Sequence, residues 1–427
     1  MKKVLLRGPI LTQSGYGEHA RFVYRSLKSR PDLFEVYVEP ITWGKTSWLW
    51  EDNEERRAID EDISKTMLYK SDSATPFDIA LLVTIPNEWQ RIAPLTIGVT
   101  AGIESDKVSP EWLAKSNEVV DRVIVVSNFS KSIFLETIYK HTDDATNITT
   151  TLKLEKPIEA VNYPVKKYKK VKLDLNLEHD FNFLVVAQWG PRKNVENVIK
   201  WFVDEFRNEE VGLVLKMNKA KNCIIDRSMV YHGVKNYIQG LGPKKCKVYL
   251  VHGYMNDNEM HSLYSEKKIK ALISLSHGEG YGLPMFEAAY CGLPIIAHDW
   301  GGQTDFLYTT NKNKKKALFT KVKYELMPIQ DHAVWNGVLQ KDSKWAYPDM
   351  HSAKQSIRKV YSNYDVYRGM ANKLKTYVRK NFSDEKIYND FIEAMALPDY
   401  KKLEEEVDGM FLDLQSQSKG NTTAIAT

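Results

Sequence analysis

The stretch SHGEGYGLPMFEAAYCGLPIIAHDWGG, residues 276–302, carries two carboxylates, Glu279 and Glu287, with seven residues between them. Ahead of it, LISLS reads as a buried strand, and LPMFEAAYCG as a helix closed by Gly292. The glycines between strand and helix let backbone approach a ligand closely. The free N–H groups of a helix N-terminus there suit a phosphate or sugar oxygen. Three roles are open to the pair: acid and base of a hydrolase, ligands of a metal, or a grip on a polar ligand. The metal role is weak, because no His or Asp completes a ligand set at short spacing. Two ordinary surface glutamates fit the residue types as well.

Outward from this stretch, strands and helices alternate. FNFLVVAQW, GLVLKMN, KVYLVHGY, IKALISLS and PIIAHD read as strands, with NVENVIKWFVDEF, NDNEMHSLYSEK and PMFEAAYCG as helices between them. The first half of the chain has the same grammar. KKVLLRGPI is a strand ending in a loop where Gly15-Tyr16-Gly17 opens a helix with Ala20, Val23 and Leu27 on one face. FEVYVEP, FDIALLV, LTIGVTA and DRVIVVS are further strands. SPEWLAKSNEVV is a helix with Ser109 as N-cap and Pro110 in first position, and SNFSKSIFLETIY begins another. Residues 41–76 form a Trp- and charge-rich insertion, helical in part. HTDDATNITTTLKLE reads as irregular, and YPVKKYKKVKLDLNLEHD as a solvated linker. The expected fold is therefore α/β, with two doubly wound Rossmann-like domains facing a central cleft. The first domain is expected over residues 1–165 and the second over 166–375. An amphipathic helical tail begins near Ser352; its part over 376–396 packs back on the first domain, and an acidic to polar tail, disordered, fills 397–427.

At 427 residues the chain is too long for one ordinary core. With 60 basic and 55 acidic residues, the net charge of +5 permits an anionic partner without demanding one. Three scattered cysteines fit a reducing, cytoplasmic setting, a host's cytoplasm if the chain is viral. MKKVLL is broken by Arg7, Gly8 and Pro9 before a signal core is complete, and no apolar run approaches a membrane span. A peripheral membrane contact stays open, and the oligomeric state is not set by the sequence.

The two glutamates, set in HGEGYGLPMFEAAYCGLPIIAHDWGGQTDF, resemble the signature of retaining GT-B glycosyltransferases, more narrowly of glycosyltransferase family 4. The resemblance runs from Val4 to about Met395 and is strongest in the second domain. It implies that Glu287 holds the ribose of a nucleotide-sugar donor. Glu279, Gly280 and Tyr281 then lie near the donor sugar, with Gly282 and Leu283 completing that loop. In VVAQWGPRKNVENVIKWF the family's phosphate-binding lysine falls on Lys193. Its arginine position is Gln188, so Arg192 is the available second cation. Cations at a helix N-terminus oppose the macrodipole, which an anion nearby would explain. Gly253 and Tyr254 fall where backbone cradles the nucleobase, ahead of a helix capped by Asn256 with Glu259 at its third position. Gly15, Tyr16 and Gly17 fall on the flexible loop that contacts the donor. The family's reaction-centre histidine is missing. Glu104, with Asp106 near it, is the polar group at that place, and Glu279, Glu104 and Lys193 are the candidate catalytic residues.

The resemblance implies transfer of a sugar, from a UDP-sugar or another nucleoside diphosphate sugar, to an acceptor hydroxyl with retention, without a cofactor or a metal. The acceptor is a glycan, a lipid-linked sugar or another polymer. Lysine-rich segments beside Trp43, Trp48 and Trp50 keep DNA carrying hydroxymethylated bases as an alternative. A glycoside hydrolase and a non-catalytic nucleotide-sugar-binding protein are the further rivals.

Overall fold

A computed structural model describes residues 1–72, 76–142, 147, 149–311 and 314–397. The expected disordered tail over 397–427 lies, past its first residue, outside the described residues. In chain order the first domain runs β1 (Lys2–Gly8), α1 (Gly15–Lys28), β2 (Phe34–Pro40), α2 (Glu54–Asp72), β3 (Ile79–Val83), β4 (Leu95–Thr100), α3 (Pro110–Val119), β5 (Arg122–Val125), α4 (Asn128–Glu136), β6 (Tyr139–Thr142), β7 (Thr149–Leu152) and β8 (Ile158–Ala160). Its sheet is parallel, in the order β2-β1-β3-β4-β5-β8. Successive β1 residues serve opposite faces, as pleating requires: Leu6 belongs to the core that holds Ala20 and Phe22 of α1, and Leu5 to the core that holds Trp112 of α3 and Phe134 of α4.

The second domain runs β9 (Asn182–Gln188), α5 (Val195–Phe206), β10 (Gly212–Asn218), α6 (Ile224–Gly240), β11 (Lys247–Val251), α7 (Asp257–Tyr264), β12 (Ile269–Ser274), α8 (Leu283–Cys291), β13 (Ile295–Ala297), α9 (Thr304–Leu307), β14 (Tyr308–Asn311), β15 (Lys314–Ala317), β16 (Thr320–Lys321), β17 (Tyr324–Pro328) and β18 (Lys344–Pro348). Its sheet is also parallel, β11-β10-β9-β12-β13-β16. In both sheets the order in which strands are added reverses beside the first strand, between β1 and β3 and between β9 and β12. Open α/β sheets bind ligands at such a switch point.

Helices α10 (Met350–Ser362), α11 (Tyr364–Asn381) and α12 (Asp384–Ala394) close the described chain. Helix α11 lies on α8, where Arg379 donates to Tyr290 O at 2.9 Å. Helix α12 lies on α1 of the first domain, with the Phe22 and Phe391 rings 5.5 Å apart.

Several elements depart from the sequence reading. The polar segment read as irregular forms the antiparallel hairpin β6–β7, because its threonines favour strand and a hairpin lying outside the core needs no apolar face. The linker is extended, but Lys166 is not solvated: it sits between Glu18 and Asp257, 2.9 Å from each, while Lys167 stays exposed. Helix α6 was not foreseen, because its apolar residues form no single stripe. The hairpin β17–β18 was not foreseen either. It carries a loop to the first domain, where Ser109 and Asn87 donate to Gly337 O at 2.8 and 3.0 Å.

Candidate functional site

Three glycine-bearing turns meet at the cleft. After β12, Gly282 adopts φ +88° to start α8, and Gly292 ends that helix at φ +83°. Gly278 and Gly280 matter for a different reason, the approach of the first domain. A Cβ on Gly278 would stand 1.9 Å from Glu104 O, and one on Gly280 2.2 Å from Ala101 O. Ser127 of the first domain also donates to Gly280 O at 2.6 Å. After β1, Ser14 caps α1 by accepting from Gly17 N at 2.9 Å. Gly17 is the glycine the turn requires, since its Cβ would lie 2.1 Å from Thr12 O. Gly15 faces open space.

After β9, a short turn over Pro191–Lys193 leads through Asn194, at φ +54°, into α5. It delivers two cations to Glu279. Lys193 donates to Glu279 Oε1, which also accepts from Ser276 Oγ at 2.6 Å. Arg192 Nη1 lies 3.2 Å from Glu279 Oε2 and donates to Gly278 O at 2.7 Å. Arg192 Nε reaches across the cleft to Glu104 Oε2 at 2.7 Å. Burial pushes the Glu279 carboxyl up, but Lys193 and Arg192 outweigh it and hold it at about 2. Burial raises Glu104 despite Arg192. Burial, helped by Arg192, lowers Lys193. Four candidate residues from both domains thus form one compensated cluster.

Glu287 lies elsewhere in the cleft. It accepts from Tyr264 Oη at 2.9 Å, and burial pushes its carboxyl up to about 7 despite Lys166. It lines a cavity of about 10 Å³ with Glu18, Tyr163, Lys166, Leu283 and Phe286, room for about one water. A larger concavity of about 730 Å³ opens between α2 and β2, away from every candidate residue. It is a shallow surface groove that holds none of the candidate residues.

The remaining candidates are spread around these two centres. Tyr16 is buried with its hydroxyl 2.8 Å from Thr100 Oγ1, so the fold already uses it. Tyr281 is buried against the Tyr163, Phe286 and Phe306 rings, and burial raises its hydroxyl well above the usual value. Gly253, at φ +110°, turns its carbonyl to Lys216 Nζ, and burial lowers that amine to about 8. Tyr254 meets Trp50 edge-on at 6.0 Å. The capping box of Asn256 and Glu259 forms as read, at 3.0 and 2.9 Å. Gln188 donates to Lys219 O at 2.7 Å and steadies the loop after β10.

The second domain matches the glycosyl transferases group 1 family over residues 169–322. No curated protein matches the sequence. Among solved structures the chain is similar to sucrose-phosphate synthase from Thermosynechococcus elongatus, at 14% identity and TM-score 0.60, covering 95% of this chain and 100% of that one. It is also similar to HepE of Anabaena in complex with UDP and glucose, at 12% identity and TM-score 0.59, covering 93% and 100%. A lipopolysaccharide outer core galactosyltransferase, WaaB, gives 13% identity and TM-score 0.50, covering 92% and 99%. The fold is that of the GT-B glycosyltransferases, and the family match over residues 169–322 supports sugar transfer as the class of reaction.

Sequence reasoning missed several residues of the cleft. Lys166 and Glu18 flank Glu287 from the linker and from α1. His19 is 1% exposed, with neither ring nitrogen partnered among the described residues, and burial lowers it to about 3, so it stays neutral. Its place two residues after Gly17 was the available signal. Among the described residues no group of three or more His, Cys, Asp or Glu is placed to hold a metal ion.

Proposed function

We propose that this glycosyltransferase moves a sugar from a nucleoside diphosphate sugar, with UDP as the nucleotide, to an acceptor hydroxyl, retaining the anomeric configuration. The observation that carries this reading is the cluster of Arg192, Lys193 and Glu279 at the turns into α5 and α8, beside the β9–β12 switch point. Both cations are held in low-dielectric surroundings and are neutralised by carboxylates until an anion replaces them. An arriving diphosphate would take Arg192 from Glu104 and share Lys193 with Glu279. The bond from anomeric carbon to phosphate oxygen breaks as the acceptor oxygen bonds to that carbon. The acceptor proton passes to the departing phosphate. Negative charge grows on the diphosphate, where Lys193 and Arg192 stabilise it electrostatically. Glu287 accepts from the ribose hydroxyls, a role its buried carboxylate suits. The cavity beside Glu287 is too small for a ribose, so the domains part to admit the donor.

The test is a screen of nucleoside diphosphate sugars against glycan, lipid-linked sugar and hydroxymethylated DNA acceptors, read by mass spectrometry. A product heavier than its acceptor by one sugar residue, lost in Glu287→Ala together with donor binding, supports the reading. Full turnover in that variant overturns the ribose assignment. A covalent sugar adduct on Glu279 or Glu287 would instead favour a glycoside hydrolase.

A further inference from the structure

The loop after β10 and the start of α6 expose apolar side chains that the transfer reaction does not use. Ile224 is 80% exposed and Ile225 70%, with Met229 one turn further along the helix. The loop of the first domain bearing Trp48 and Trp50, also exposed, adjoins them: Asn222 N donates to Ser47 Oγ at 3.2 Å, and Asn222 Nδ2 to Gln13 Oε1 at 2.6 Å. These side chains are not at a frayed end. Asp226 accepts from the backbone N–H groups of Lys219, Ala220 and Lys221 at 2.8–3.0 Å and from His252 at 2.8 Å. Val230 and Val234 seat the helix on the sheet. The fold therefore holds two isoleucines in water on an anchored helix.

The charge around them is one-sided. Residues 219–247 contain seven Lys or Arg and one acid, Asp226, which is buried and already satisfied. Lys219 and Lys221 precede the isoleucines and Arg227 follows them. Beside Trp50, Glu51 accepts from Asn53 Nδ2 at 3.0 Å and Asp52 is paired with Arg57 at 2.7 Å.

We propose that this patch, formed by the start of α6 and the Trp48–Trp50 loop, docks the protein on an anionic phospholipid bilayer. Aliphatic side chains gain by entering the acyl boundary, tryptophans settle at the headgroup level, and lysines pair with anionic headgroups. Nucleic acid fits less well: it would answer the lysines and the tryptophans, but would leave Ile224, Ile225 and Met229, which have no flat face to stack on a base, in water. The patch sits at the carboxyl end of β10, on the rim of the cleft. This purpose rests on the transfer reading, because docking there turns the cleft towards acceptors carried in the lipid.

The test is co-sedimentation of the full chain with vesicles of phosphatidylcholine alone and of an equimolar mixture with phosphatidylglycerol. Binding is expected to be about tenfold or more stronger to the mixed vesicles and to fall with salt. The double variant Ile224→Ser, Ile225→Ser is expected to lose about tenfold of that binding. Lys219→Glu with Arg227→Glu is expected to lose as much, while UDP binding by both stays at the wild-type level and shows that they fold. Equal binding to both vesicles, or no effect of either double variant, overturns the proposal. So does tight binding to duplex DNA that the serine variant retains while vesicle binding is absent. No donor or acceptor enters this assay, so docking and transfer fail separately.

Discussion

Glu287 gives the sharpest test of the site, because its protonation falls where enzymes are assayed. Burial pushes its carboxyl up to about 7. The sign of the effect on folding follows. A carboxyl raised above its unfolded value of 4.5 costs stability as pH rises through that window. At neutral pH the cost is on the order of 1–3 kcal/mol. A ligand that donates hydrogen bonds to the carboxylate recovers part of it, so nucleotide binding should favour the ionised form. One unit below its pKa about one tenth of the groups are ionised, so UDP should bind about tenfold more weakly at about pH 6 than at about pH 8. Near neutrality, binding should also release a fraction of a proton. Calorimetry in two buffers of different ionisation enthalpy measures affinity and proton release together. The phosphates of UDP titrate in the same range, so the decisive comparison is with 2′,3′-dideoxyuridine diphosphate, which keeps the phosphates and lacks the diol. The pH dependence should shrink for that ligand and in Glu287→Gln. If the dideoxy nucleotide loses as much affinity on acidification as UDP does, Glu287 does not hold the ribose.

Two further outcomes follow from the compensated cluster and the glycine loop. Glu279 is held at about 2 against an ordinary 4.5, so its pairing stabilises the fold above the unfolded value and is lost as pH falls through that window. The gap in urea stability between wild type and Glu279→Gln should be on the order of 3 kcal/mol at neutral pH and about 1 kcal/mol narrower near pH 3.5. A gap that does not change with pH refutes the pairing. Gly280→Ala places a methyl 2.2 Å from Ala101 O, across the cleft rather than within the second domain. It should lower kcat about a hundredfold or more, since misplacing the reacting groups by about an ångström is enough, and raise the radius of gyration seen by small-angle scattering in the presence of UDP. Wild-type turnover in that variant would show that the close approach of Gly280 to Ala101 is not used in catalysis.

What the sequence disclosed divides along a physical line. Local geometry was legible: Ser109 caps α3, Asn256 and Glu259 form a capping box, and Gly292 ends α8, because each depends on residues within one turn of helix. The two sheets were legible from buried strands such as IALLV, apolar on both faces. Helix α6 was not, because the isoleucines that should have marked its inner stripe point outward. Nor were the pairings that make the site. In a run of lysines nothing distinguishes Lys166, seated between Glu18 and Asp257, from Lys167, which stays exposed. In the loop after β4, a carboxylate that solvates the loop and one that meets Arg192 across the cleft have the same local sequence. They differ in what the second domain brings within 3 Å. Glu104 meets Arg192 at 2.7 Å because Gly278 lets the two backbones approach, so a side chain at Gly278 would separate a pair it does not touch.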